Sequence, residues 1–171
     1  MRVTTRAKNG TRRAGLGAKA VGLGLATMVA IGVSASPAAA AAVEPDFVLN
    51  NPPLACPAGA VGFRLDGEGD LPPEDAEVDV NVGDETGTVS VDISEDGTEV
   101  SFDTTGNIAV RQVTVKGGPN ANRYIYDANS TPTSFPDGIA SDSELVSPIN
   151  PGGQLPTISH VDFCVIEGNG S

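Results

Sequence analysis

The sequence predicts an all-β domain, an antiparallel β-sandwich or open barrel of about eight strands with one disulfide and one long ordered loop. Three observations support this fold class. Short stretches alternate apolar with polar residues, as half-buried strands do. Turns containing glycine separate these stretches. The apolar residues are mostly Val, Ile and Ala, and no apolar stripe at helical spacing follows residue 42.

Alternating apolar residues mark four successive strands, each with one apolar face. The faces consist of Val61, Phe63 and Leu65; of Val78, Val80 and Val82; of Val89, Val91 and Ile93; and of Val100 and Phe102. Residues 83–87 and 95–97 lie between the last three strands and contain acidic residues and glycine, which is typical of hairpin turns. Gly97 supplies the residue that tolerates a positive φ.

Three more strands are predicted in the second half of the chain, over residues 108–118, 123–127 and 158–166. In the first of them the apolar residues change face between Val110 and Val113, which predicts a β-bulge near Arg111 and Gln112. Residues 128–157 contain five prolines with apolar residues interspersed. We therefore expect one long, ordered loop that packs on the sheet.

Residues 1–42 are predicted to form a cleaved signal peptide, which leaves residues 43–171 as a single secreted, extracellular domain. Basic residues precede the apolar run at residues 20–35, and small residues with Ala-x-Ala cleavage options near Ala40 to Ala42 follow it. The run is rich in Gly and Ala and shorter than the ~20 residues of a spanning helix. The leader is of the type found in high-GC actinobacteria, and both Sec and twin-arginine export stay open.

The charge changes when the leader is removed. Six of the ten Lys and Arg residues lie in the leader, so four basic residues remain against 22 acidic ones, a net charge of −18 instead of −12. Such a chain repels phosphate backbones and anionic lipids, so we expect neither nucleic acid nor membrane as a partner of the mature protein. The acid excess fits extracellular solubility, and divalent-cation binding is the alternative.

The two cysteines, Cys56 and Cys164, are predicted to form a disulfide, since an even number in an exported chain favours pairing. The bond would tie the start of the first clear strand to the last strand. A metal site at the cysteines would need further soft ligands, which the sequence does not offer.

The stretch Ile158–Cys164 contains the only histidine of the chain, which excludes zinc sites with two or three histidines. On a strand, His160 and Asp162 share one face, while Val161 and Phe163 take the other and point to the core. His160 and Asp162 are therefore a candidate polar site. Residues spaced i, i+2 on a strand are poorly placed to orient a catalytic imidazole, so we predict a structural His160 and assign no catalytic residue.

Calcium is the one cofactor that the sequence leaves open, with two weak groups of candidate ligands. One is Asp66, Glu68 and Asp70, and the other is Asp137, Asp142 and Glu144. The first group begins like an EF-hand loop but has Leu71 where the loop needs glycine. A polar turn between strands is the alternative interpretation of that group.

Three segments, VKGGPNANRYIYD, SDSELVSPINPGG and LPTISHVDFC, occur in that order between residues 115 and 164. The series resembles a group of uncharacterised small secreted bacterial proteins with the pattern VKGG, YxY, SDxxLxxP and ISHxxFC. Cys56 to Gly59 resembles the group's start more loosely. The resemblance implies a secreted, all-β, single-disulfide domain in which the long loop is a built part. It carries no known activity, so it assigns no site residues.

We therefore expect a secreted, non-enzymatic binding or surface-interaction module of unknown ligand. One alternative is a small extracellular hydrolase that uses His160 with Asp162 and Ser141 or Ser143. Another is a Ca²⁺-dependent adhesion or matrix component. An exposed His160 beside a pocket that contains a serine hydroxyl would favour the hydrolase, and a buried His160 bonded to backbone would favour the binding module.

Overall fold

The computed structural model describes residues 4–7, 41–50, 52–66 and 75–168, and these residues form strands and connections without a helix. The predicted all-β class is confirmed. The ten strands are β1 (Thr4–Ala7), β2 (Asp46–Val48), β3 (Val61–Asp66), β4 (Asp75–Val82), β5 (Glu85–Ile93), β6 (Glu99–Gly106), β7 (Ile108–Gly117), β8 (Asn120–Ile125), β9 (Ser141–Val146) and β10 (Ile158–Glu167). Only β1 belongs to the predicted leader, most of which lies outside the described residues.

The strands form two antiparallel sheets. The first sheet has the order β1-β4-β5-β6-β9 and the second the order β2-β8-β7-β10-β3. Their inner faces contribute one shared apolar core, so the architecture is a sandwich. The inner residues of β4 and β5 are the alternating valines and isoleucine that predicted these strands.

Aromatic rings join the two sheets at the centre of the core. Phe163 of β10 stacks on Phe63 of β3 with ring centroids 5.1 Å apart. It also meets Phe102 of the opposite sheet edge-on at 5.6 Å. Tyr126 reaches Phe102 at 6.2 Å and lies fully buried. These contacts fix how the sheets face each other, since aromatic pairs add to the apolar area that they bury.

The predicted turn and bulge are both present. Gly97 has a φ of 71°, and its N–H donates to the Ser94 carbonyl at 2.7 Å in the β5–β6 hairpin. On β7, Gln112 pairs with Cys164 while Val110 pairs with Val165, so Arg111 is the extra residue of a bulge. The bulge turns Arg111 toward the following segment, where its Nη1 donates to the Pro136 carbonyl at 2.6 Å.

Residues 128–157 differ in part from the predicted loop, because Ser141–Val146 forms the edge strand β9 beside β6. The strand forms here because Leu145 is fully buried in the core, and the prolines lie on both sides of it. The rest of the segment is connection, and Phe135 and Ile139 pack against the core as expected. Ile149 is instead 66 % exposed.

The predicted disulfide between Cys56 and Cys164 is confirmed, with a Cα–Cα distance of 5.4 Å. It links the segment before β3 to β10. Gly62 lies directly beneath it, and a Cβ at Gly62 would stand 2.7 Å from the Cys56 Sγ. Because Gly62 has no side chain, the disulfide can lie close to the backbone of β3.

Within the described ranges, no helix has the length and apolarity needed to cross a membrane.

Candidate functional site

His160 and Asp162 lie on the outer face of the second sheet, as the strand alternation predicted. Val161 and Phe163, between and beside them, point into the core. The neighbouring strands add polar side chains to the same face. Asp66 of β3 and Lys116 of β7 flank His160, and Arg64 of β3 and Thr114 of β7 flank Asp162.

Asp162 pairs with Arg64 and not with His160. The Arg64 Nε donates to the Asp162 Oδ1 at 2.5 Å, and its Nη2 donates to the Oδ2 at 2.8 Å. The Asp162 side chain is only 3 % exposed, so this two-point ion pair is held mostly away from water. The hydrogen bonds to Asp162 raise the pKa of the Arg64 guanidinium. Among the described residues, no hydrogen bond joins Asp162 to His160, so this carboxylate does not orient the imidazole.

His160 is buried, with 6 % of its surface exposed, and its Nε2 has no hydrogen-bond partner among the described residues. Burial lowers the pKa of His160 below its ordinary value, and the positive charge of Arg64 lowers it further. Lys116 acts in the same direction, whereas Asp162 and Asp66 oppose the shift. The net result favours a neutral imidazole because the charged form would have to shed water.

The lowered pKa of His160 predicts an acid-side loss of stability. The unfolded chain takes up the proton first, near its ordinary pKa of ~6.5, so the free energy of unfolding falls as the pH drops below that value. Above pH ~6.5, His160 does not make the free energy of unfolding depend on pH. One proton limits the slope to about 1.4 kcal/mol per pH unit.

Denaturant unfolding between pH 5 and 8 measures this effect, and His160→Gln is the variant that removes it. His160 is the only histidine, so no second imidazole obscures the comparison. An unchanged slope in His160→Gln would contradict the assignment.

The serines of the hydrolase alternative do not lie on the same sheet as His160. Ser141 and Ser143 belong to β9 at the edge of the first sheet, and His160 belongs to β10 of the second. With Asp162 held by Arg64, the described residues do not bring a serine, histidine and aspartate together as a triad requires.

The calcium candidates are dispersed. Glu68 and Asp70 lie outside the described residues, and Asp66 is an exposed residue at the end of β3. Asp142 is instead a structural acceptor, since Tyr126 OH donates to it at 2.8 Å and the Ser143 N–H at 2.8 Å. Asp137 and Glu144 lie apart on the chain that leads to and forms β9. Among the described residues, no group of three or more His, Cys, Asp and Glu side chains is arranged to hold a metal ion.

The outer face of the first sheet forms a shallow groove of about 430 Å³ across β4, β5 and β6. Its polar lining, which we call the acidic groove, consists of Asp75, Glu77, Ser90, Asp92, Ser101 and Asp103. The strand register arranges them in two rows, with Asp75 opposite Asp92 and Ser90 opposite both Glu77 and Asp103. Carboxylates in opposite register positions repel one another, so the groove concentrates negative potential.

The two outer faces therefore differ in charge. Arg64, Lys116 and Arg123 lie on the outer face of the second sheet, where acidic neighbours balance them. Arg123, for example, lies 3.6 Å from the Asp46 carboxylate. The acidic groove has no Lys or Arg among its described lining residues. The sequence contains this acid-rich stretch, which we interpreted as favouring solubility outside the cell. The register of β4, β5 and β6 brings four of its acidic residues onto one face.

Sequence reasoning missed Arg64 and the acidic groove on the two outer faces. No local signal pairs Arg64 with Asp162, because the disulfide indicates that the segment before β3 lies near β10 but does not give the register of the two strands. The signal for the groove was the alternation of three acidic residues, Asp75, Glu77 and Asp79, along β4. No protein-family model matches this chain, and no curated protein or solved structure matches it either.

Proposed function

We propose that the mature protein is an extracellular, non-enzymatic binding module whose ligand is an extended, basic polypeptide segment. The acidic groove and the neighbouring edge of β4 form the binding surface. The proposal rests on the leader cleavage predicted from the sequence, which removes β1 from that edge.

The observation that carries the proposal is the position of β1. Thr4–Ala7 runs antiparallel along β4 and places Arg6 in register with Glu77, one of the residues of the acidic groove. An arginine-containing segment thus already occupies this edge as an added strand. Without β1, β4 presents a row of backbone N–H and C=O groups to any other extended segment.

Charge supports a basic ligand over a neutral one. The acidic groove lies beside the edge, so lysine and arginine side chains of an added strand would enter a negative potential. The burial of His160 and the pairing of Asp162 with Arg64 support binding over hydrolysis. The resemblance to small secreted bacterial proteins stays a prediction and is compatible with this role.

A synthetic peptide with the sequence of residues 1–13, MRVTTRAKNGTRR, is a suitable probe for the exported protein. We expect saturable binding in fluorescence anisotropy that weakens with added salt. Asp75→Asn with Asp103→Asn should weaken it by roughly fivefold, since exposed ion pairs contribute about 0.2–1 kcal/mol each.

The matched control is Asp84→Asn with Glu95→Gln, which removes the same charge from two exposed turns outside the groove. This control should bind the peptide as the wild type does. If both double variants weakened peptide binding equally, the loss would reflect the net charge of the protein. That result would contradict binding at the acidic groove. Absence of saturable binding would also contradict the proposal.

A further inference from the structure

The first residues of the predicted mature domain are anchored to the sandwich. Val43 is 2 % exposed within the core and pairs with Pro132 in an isolated β-bridge. The next N–H, of Glu44, donates to the Thr131 carbonyl at 2.9 Å. The chain is thus held in place from Val43 onward, which fixes the position of the backbone nitrogen that precedes it.

That nitrogen, the Ala42 N, lies 3.0 Å from the Asp142 Oδ1 and 3.1 Å from its Oδ2. One amide N–H shares its single hydrogen between the two oxygens in a bifurcated bond, whereas an ammonium group offers three N–H bonds and a positive charge. Asp142 also accepts from Tyr126 OH and the Ser143 N–H, both neutral donors. Within the described ranges, no Lys or Arg forms an ion pair with Asp142.

We propose that the leader is cleaved between Ala41 and Ala42, and that the new α-ammonium of Ala42 binds the Asp142 carboxylate. The site is thus a receptor for the chain's own processed terminus. The inference rests on leader cleavage but is independent of the proposed ligand. The cut lies one residue before the boundary predicted from the alanine run, and Ala39-x-Ala41 satisfies the small-residue requirement of a signal peptidase.

The reaction is a simple hydrolysis. Water adds across the Ala41–Ala42 peptide bond, Ala41 leaves with a carboxylate, and Ala42 gains an amine that takes up a proton at neutral pH. Before cleavage Asp142 receives a single amide donor from Ala42, and after cleavage it receives a charged one. The charged hydrogen bond is the stronger of the two, so the sandwich is more stable as the mature protein than as the precursor.

The test begins with the full precursor in a secreting host. Intact mass of the exported protein should place the terminus at Ala42. Reductive methylation with ¹³C-formaldehyde then labels only two amines, because Lys116 is the sole lysine after the leader. By NMR the α-amine should titrate at higher pH in the wild type than in Asp142→Asn, while the Lys116 signal titrates identically in both.

A terminus at any residue other than Ala42 would overturn the proposal, and so would equal titration of the α-amine in the two proteins. Tyr126→Phe keeps the carboxylate and should retain the upward shift. If Asp142→Asn yields no folded protein, the test instead compares the wild type before and after carbamylation of its α-amine. Loss of the charge by carbamylation should lower the unfolding midpoint, and an unchanged midpoint would overturn the proposal.

Discussion

Replacing both cysteines, by Cys56→Ser with Cys164→Ser, is expected to lower the free energy of unfolding by about 3–5 kcal/mol. The two residues are 108 apart in sequence, so the bond removes a large part of the conformational entropy of the unfolded chain. The loss is comparable with the whole stability of many small domains. We therefore expect the variant to be largely unfolded at elevated temperature.

Urea unfolding of the exported proteins measures this difference. Reductant should lower the unfolding midpoint of the wild type toward that of the double variant, and it should leave the double variant unchanged. A double variant within about 0.5 kcal/mol of the wild type would show that residual structure in the unfolded chain already restricts it.

Phe163→Ala is the second change with a large expected effect, a loss of about 3–5 kcal/mol. Phe163 is fully buried, stacked on Phe63 and edge-on to Phe102 of the opposite sheet. Truncation leaves a cavity between the two sheets that the rigid strands on both sides cannot collapse to fill. The variant loses apolar burial and two aromatic contacts together.

Chemical denaturation compares Phe163→Ala with Phe163→Leu, which fills part of the cavity and should lose less. Ile149→Ala is the matched surface control, because Ile149 is 66 % exposed, and its stability should stay within about 0.5 kcal/mol of the wild type. A loss below 1 kcal/mol for Phe163→Ala would mean that the sheets close around the missing ring.

Alternation predicted most of the sandwich because each strand has one face in the core. The apolar residues of β4, β5 and β10 repeat with period two, and the change of parity in β7 located the bulge at Arg111. The disulfide followed from the cysteine count together with the predicted export of the chain. These features are local, so a single sequence contains them.

The missed features depend on which strands become neighbours. The sequence of β9 is SDSELV, with apolar residues only at its end, and it becomes a strand because β6 offers it an edge. Arg64 meets Asp162 only in the register of β3 against β10, and Cys56 does not reveal that register because it lies before the strand. Asp142 was predicted as a calcium ligand because the sequence does not show which distant segments contact it. Its partners Ala42 and Tyr126 come from distant segments.

The acidic groove makes the outer face of the first sheet more negative than that of the second, so charge is distributed unequally across the sandwich. The acidic groove lies on one side, and on the other, ~10 Å or more away, acidic neighbours balance Arg64, Lys116 and Arg123. A positively charged surface would therefore attract the acidic groove more strongly than the opposite face, and the protein would bind that surface through its first sheet. The disulfide and the Arg64–Asp162 pair would then face the solvent, so adsorption would be oriented rather than random.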